Sequence, residues 1–460
     1  MKQKTFGLRV AGVLFLCFVQ HAVGAQEFIR EALWHKDATS IVREIDARRW
    51  LVCNNYDGRT SFACFDMSGT VWKMQDADWP YSYVVKDFEV VDSRYVYYCG
   101  TMVINQTWIL GPDGSWTYQQ PEWGAMIGYF DMAEFPAPST YGVHTLIDRG
   151  FVSLDKLEVY FEDGYVHLAM VGSKIDSDRG GSKTSRESCV LDASGQGLFP
   201  NSWVFSYAVN EDGEVFDDVA VSRGHVVVTS RIPGRETYFR SFSRAPAGGA
   251  FMNYPVAAVS TAVSADDTVL IDYCEEEYFA VATTNLSSQR IEVAAFDNQL
   301  NIYHALSFPL TTLTHPDCSL RDIRYNPYFQ SLALLERVWA SGVTGSIIHH
   351  VDINNAPPLY SPYVYGNKYD GETLSSLDYL RGNPGQMIAS GKNDDVTFTR
   401  VYRNRPKTYE GCTIENKAIC ERLKMFAEPI SGIVSRNVEF PSDRVRWVVD
   451  SWPEIVICGQ

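Results

Sequence analysis

The sequence predicts an all-β fold built from a repeated unit of four short strands. Three observations carry this. Aromatic residues make up 13% of the 460-residue chain, with 26 Tyr, 24 Phe and 11 Trp, and such side chains favour strands. The stretch Asp46-Ala-Arg-Arg-Trp-Leu-Val-Cys53 returns in similar form as Asp92-Ser-Arg-Tyr-Val-Tyr-Tyr-Cys99. Between two apolar runs stands Asp57-Gly58, a strong hairpin signal.

The first element is a leader. Lys2, Lys4 and Arg9 precede an apolar run from Val10 to Val19, and Val23-Gly24-Ala25 follows. This order predicts a signal peptide over residues 1–25, cut after Ala25. The run is too short to span a bilayer, and bulky Leu16 before Cys17 argues against a lipid-anchored Cys. No later stretch reaches about 18 uninterrupted apolar residues. The expected product is exported (periplasmic, cell-surface or secreted) and is not an integral membrane protein.

The first repeat follows. Ile41 to Ile45, Trp50 to Tyr56, Ser61 to Met67 and Thr70 to Trp72 read as strands, with Asp57 to Thr60 as a turn and Ser68-Gly69 as a second turn. Gly69 and Trp72 recur as Gly114 and Trp116, about 45 residues on. Looser copies run over 143–195, 215–251, 269–303, 320–353 and 374–402. Continuous apolar runs such as Val226-Val-Val228 suit strands buried on both faces.

Four short antiparallel strands per unit is how a propeller blade is built. The turns at Asp66-Met-Ser-Gly69 and Asp192-Ala-Ser-Gly195 look like blade turns of several propeller families. Residues 26–411 therefore resemble the β-propeller class, at roughly 55 residues per unit. The implied count is seven blades, with six or eight as neighbouring solutions. The remainder, 412–460, reads as a C-terminal extension. A helix is expected over 415–428, with Ile419, Leu423 and Phe426 on one face and Pro429 ending it. Strands are expected at Arg444 to Val449 and Glu454 to Ile457, as a ring closure or a cap.

Candidate binding residues are aromatic and lie in long connections. Trp79 and Tyr81 join the first two units. The stretch from Gln120 to Gly142 reads as a connection carrying Trp123 and Tyr129. A third connection, Asn354 to Gly371, carries Tyr363 and Tyr365 among prolines. Ring faces stack on the C–H faces of sugars, and nearby carboxylates accept hydroxyl protons. The competing role for any single ring is to seal a blade edge. Cys53 and Cys64 flank the Asp57–Thr60 turn symmetrically, so they read as directly opposite and as a disulfide candidate.

The net charge of −16, from 40 basic and 56 acidic residues, repels phosphate backbones, so no nucleic-acid partner is expected. There is no Cys-x-x-Cys, His-Glu-x-x-His, P-loop or Gly-x-Ser-x-Gly, so no metal and no cofactor is expected. These features point to an exported binding propeller whose partner is a carbohydrate or an extracellular or envelope protein. The alternatives are an extracytoplasmic glycan-cleaving enzyme using paired carboxylates and a scaffold subunit of an envelope complex. Inward-facing acids with raised pKa values at the channel mouth would favour cleavage. An apolar channel beside an exposed aromatic patch would favour binding.

Overall fold

The structure is a computed structural model. It describes residues 39–403 apart from short intervening segments, together with 445–451 and 454–459. The leader read at 1–25 and the helix read at 415–428 lie outside the described residues.

The chain is an all-β β-propeller. Sheet 1 holds β1 (Thr39–Asp46), β2 (Arg49–Tyr56), β3 (Arg59–Asp66) and β4 (Gly69–Met74). Sheet 2 holds β5 (Tyr83–Val91), β6 (Tyr95–Asn105), β9 (Glu122–Asp131) and β10 (Tyr141–Thr145). A separate hairpin, β7 (Trp108–Leu110) with β8 (Trp116–Tyr118), is inserted between β6 and β9. Sheet 3 holds β11 (Phe151–Glu162), β12 (Tyr165–Ile175), β13 (Arg186–Gln196) and β14 (Val204–Val209). Sheet 4 holds β15 (Val215–Ser222), β16 (His225–Arg231), β17 (Thr237–Ser243) and β18 (Met252–Ser260). Sheet 5 holds β19 (Val269–Cys274), β20 (Tyr278–Asn285), β21 (Arg290–Asp297) and β22 (Ile302–Pro309). Sheet 6 holds β23 (Ser319–Asn326), β24 (Ser331–Ala340), β25 (Val343–Asp352) and β26 (Tyr360–Tyr363). The last sheet has three strands among the described residues, β27 (Glu372–Tyr379), β28 (Gln386–Asn393) and β29 (Val396–Arg403). Beyond it, β30 (Val445–Ser451) pairs with β31 (Glu454–Gly459).

Every pairing within these sheets is antiparallel, and the first strand of each lies at one edge and packs on the first strand of the next. The core lies between sheets rather than within one. Leu51, Cys53 and Phe62 of sheet 1 meet Val85, Phe88 and Tyr98 of sheet 2. Comparable clusters fill the following seams. The last sheet packs on the first through Leu380, Ile388 and Val401 against Val42, Trp50 and Phe65. Trp50 Nε1 donates to Thr399 Oγ1 at 3.0 Å across that closing seam. Strands covered on both faces explain why continuous apolar runs replaced clean alternation.

Three expectations need correction. The stretch read as a connection, Gln120 to Gly142, contains β9 and the start of β10, because its apolar run Ala125–Ile127 fills the core between sheets 2 and 3 and the neighbouring seam. Trp116 is not the counterpart of Trp72: it lies on the inserted hairpin, whereas Trp72 is on an outer strand. Cys53 and Cys64 are buried free thiols, not a disulfide. Tyr56 pairs with Arg59, so Cys53 faces Phe62 and Cys64 faces Leu51. The cysteines are therefore diagonal neighbours, about 7–8 Å apart, beyond the usual disulfide span.

Candidate functional site

The inner strands β5, β11, β15, β23 and β27 each carry a bulge that leaves one residue unpaired (Lys86, Asp155, Asp217, Arg321 and Ser375). A bulge bends its strand and re-aims the side chains that follow. Directly after it stand Asp87, Lys156, Asp218, Asp322 and Ser376; two residues further on stand Glu89, Glu158, Ala220, Arg324 and Asp378. These positions line the axis. Sheets 2 and 6 are not neighbours in the ring, yet Arg324 lies 4.0 Å from Glu89. Arg43 of β1 pairs with Asp87 at 2.5 Å and with Glu89 at 2.9 Å.

Most of the axial aspartates clasp one sheet to the next. Asp87 accepts from its neighbour Phe88 N at 2.9 Å and from Leu157 N of sheet 3 at 3.2 Å. Asp218 accepts from Val219 N and from Ile271 N of sheet 5. Asp272 accepts from Tyr273 N and from Tyr325 N of sheet 6. Asp322 accepts from Ile323 N, from Leu377 N of the last sheet at 2.9 Å, and from the Ser376 hydroxyl at 2.8 Å. Asp378 accepts from Tyr379 N and, across the closing seam, from Glu44 N at 2.8 Å. One carboxylate oxygen thus holds its own strand and the other holds the neighbour's.

The electrostatics are strongly coupled. Burial raises Asp272 to about 7, although Arg324 opposes the shift. Burial raises Glu158 well above the carboxylate range, and Glu89 and Asp272 add to it. Glu89 and Asp218 are raised by burial as well, against Arg43 and Lys156 respectively. Burial also penalises Asp322, but Arg324, Arg43 and Lys156 outweigh it and hold that carboxyl low. Glu89, Lys156, Glu158, Asp272, Arg324 and Asp378 are only half-buried, so these deep groups still reach solvent along the axis. The arrangement sets carboxyls whose pKa is raised beside one that is lowered, next to fixed cations. Two other buried pairs stay within one sheet: Glu336 with His349 at 2.5 Å, and Glu214 with Arg240 at 2.7 Å. Among the described residues no group of three or more side chains could hold a metal ion.

Among the described residues, the aromatic candidate Tyr129 is not at this channel. Tyr129 is on β9 and is 8% exposed, packed against Phe199 with ring centroids 5.0 Å apart. It takes the sealing role weighed above. Trp123 falls on β9 and Tyr363 ends β26. Trp79, Tyr81 and Tyr365 lie outside the described residues. The charged channel residues were missed, although a signal existed. Asp218-Val, Asp272-Tyr, Asp322-Ile and Asp378-Tyr recur at intervals of 54, 50 and 56 residues, close to the unit length.

No family model matches the chain, and none of the curated proteins does. Solved structures do show likeness. The β-propeller domain of the Trilobed protease from Pyrococcus furiosus is 8% identical, with 81% of this chain and 97% of that chain covered and a TM-score of 0.44. Drosophila Plexin A, solved in complex with Semaphorin 1b, is 10% identical, with 82% and 87% covered and a TM-score of 0.43. Trypanosoma rangeli sialidase is 11% identical, with 69% and 55% covered and a TM-score of 0.39. At such identities and scores nothing about activity follows from them.

Proposed function

We propose that the chain is an exported, seven-bladed β-propeller, with β27–β29 as the seventh blade, that binds carbohydrate at its central channel. The observation that supports this is the half-buried, mixed-charge lining around Glu89, Lys156, Glu158, Asp272 and Arg324. Sugar hydroxyls both donate and accept, so they suit neighbouring carboxyls and cations that hold each other only in part. Binding alone requires no displacement of the clasping aspartates.

A thermal-shift screen of residues 26–460 against oligosaccharides tests the reading. A ligand that binds only the native state stabilises it by about 2.7 kcal/mol at 100 times its Kd. At least one sugar is expected to raise the Tm measurably; a flat response across an adequate panel overturns the proposal. Sequencing the N-terminus of the protein recovered from the cell envelope or medium tests export. Gln26 is the expected first residue.

A second reading is glycan cleavage. It is favoured by Asp272, raised by burial to about 7, and by Glu158, raised well above the usual carboxylate range by burial and by Glu89. A carboxyl kept protonated at neutral pH is what a general acid requires. Chromatography of any oligosaccharide that binds, after prolonged incubation, separates the readings: shortened products mean cleavage, and an intact ligand means binding alone.

A further inference from the structure

Among the described residues, sheets 1 and 3 lack the aspartate clasp that the other five sheets share. Sheet 1 reaches sheet 2 through Arg43, paired with Asp87 and Glu89, and sheet 3 departs without such a replacement. Where Asp87, Asp218 and Asp322 follow their bulges, β11 has Lys156. Where Asp378 stands two residues further on, β11 has Glu158. Asp272 clasps sheet 6 as Asp378 clasps sheet 1, but Glu158 clasps nothing in sheet 4. Among the described residues neither the Lys156 nor the Glu158 side chain makes a hydrogen bond or an ion pair, although both backbones pair with β12. The seam from sheet 3 to sheet 4 is held otherwise: Phe216 N donates to Ser188 Oγ at 2.9 Å, and Tyr160, Val171 and Val190 pack on Phe216, Val219 and Val228. Both side chains are half-buried and directed to the axis, where Asp87, Asp218 and Asp322 surround Lys156, and Glu89 and Asp272 flank Glu158. The two other axial cations are engaged, Arg43 with Asp87 and Glu89, and Arg324 with the Leu377 carbonyl at 3.3 Å.

We propose that Lys156 and Glu158 are the ligand-reading pair of the channel and that they select a neutral oligosaccharide over an acidic one. This rests on the carbohydrate reading above and names its substrate class. Lys156 donates to ligand oxygens, and Glu158, two residues along the same edge, exchanges hydrogen bonds with hydroxyls. An added ligand carboxylate gains little from Lys156, whose charge already faces three aspartates. It is repelled by the acids around Glu158.

The test compares neutral gluco- and manno-oligosaccharides with the same chains oxidised to the carboxylate at C6. Affinities are measured at pH 8, above the value of about 7 at which Asp272 is held, for the wild type, Lys156→Met and Glu158→Gln. The neutral member of a pair is expected to bind about tenfold or more tightly than its oxidised partner. Each substitution is expected to weaken the neutral ligand by about tenfold or more. Both free variants should retain the wild-type far-ultraviolet circular dichroism, because neither side chain clasps a seam, and Glu158→Gln should melt no lower than wild type. Equal or tighter binding of the oxidised sugars, or unchanged affinity in both variants, overturns this inference and leaves the carbohydrate reading standing. Absence of binding by every neutral and oxidised sugar overturns both.

Discussion

Asp322 shows what a single axial carboxylate does. It takes two backbone amides and the Ser376 hydroxyl, and Ser376 Oγ in turn accepts from Val42 N at 3.3 Å, so one residue ties sheet 6 to the last sheet and through it to sheet 1. Removing a buried, hydrogen-bonded charge of this kind costs about 3–5 kcal/mol. Asp322→Ala is therefore expected to lower stability to that extent in denaturant unfolding; a change below about 1 kcal/mol would refute the clasp. The pH dependence of the two kinds of acid has opposite sign. Asp322 is held low, so its contribution is present above the unfolded carboxylate pKa and disappears as pH falls through its folded value. Glu158 is held high, so the fold is favoured below the unfolded pKa and loses that advantage as pH rises towards the folded value. Glu158→Gln should match wild type near pH 4, where Glu158 is protonated whether folded or unfolded, and be the more stable protein at pH 9. Equal pH profiles for the two in thermal melts would contradict this assignment.

At the scale of the strand, the bulge and the glycine opposite it work together. Gly172 pairs with Leu154, next to the unpaired Asp155, and a Cβ there would lie 2.1 Å from the Ser153 carbonyl oxygen. Gly100 and Gly391 stand in the same relation to Val84 and Thr373 in sheets 2 and 7, at 2.0 and 2.2 Å. The backbone of the first strand approaches so closely only because the second strand has no side chain there. Gly172→Ala is expected to destabilise by about 1–3 kcal/mol, the usual cost of forced overpacking. The check is its urea midpoint beside that of an alanine placed at exposed Asp155, where the same measurement should barely move. These glycines were visible as letters, but their purpose was not, because a bulge has no sequence signature until the register of its partner is known. The Cys53–Cys64 pairing failed for the same reason. Moving the centre of the hairpin by one residue shifts the pairing by two and makes the expected facing residues diagonal.

At the scale of the whole molecule, each sheet shares its core with two neighbours, and the last meets the first. Trp50 sits in that closing seam, 1% exposed, stacked with Phe65 at 6.2 Å and bonded to Thr399. Trp50→Ala should cost about 3–5 kcal/mol and shift the entire calorimetric transition while leaving it a single peak. A new, separate low-temperature peak would mean that the closing seam melts alone and that the ring is not one cooperative unit.

Strand content, the repeat and the short Asp-Gly hairpin were legible along the chain, because periodicity and turn chemistry are properties of neighbouring residues. Blade-like sheets from 39 to 403 follow from those local rules. The channel was decided by tertiary structure. Arg43, Asp87, Glu158, Asp272 and Arg324 are scattered over some 280 residues and come together only because the inner edges of successive sheets converge on one axis. Burial then raises Glu89, Glu158 and Asp272 while neighbouring cations hold Asp322 low, and the departures at Lys156 and Glu158 mean something only once the clasps around them are in place. Tyr129 makes the converse point. An aromatic residue in an apparent loop looked like a binding surface until the strand pairing placed it in the core.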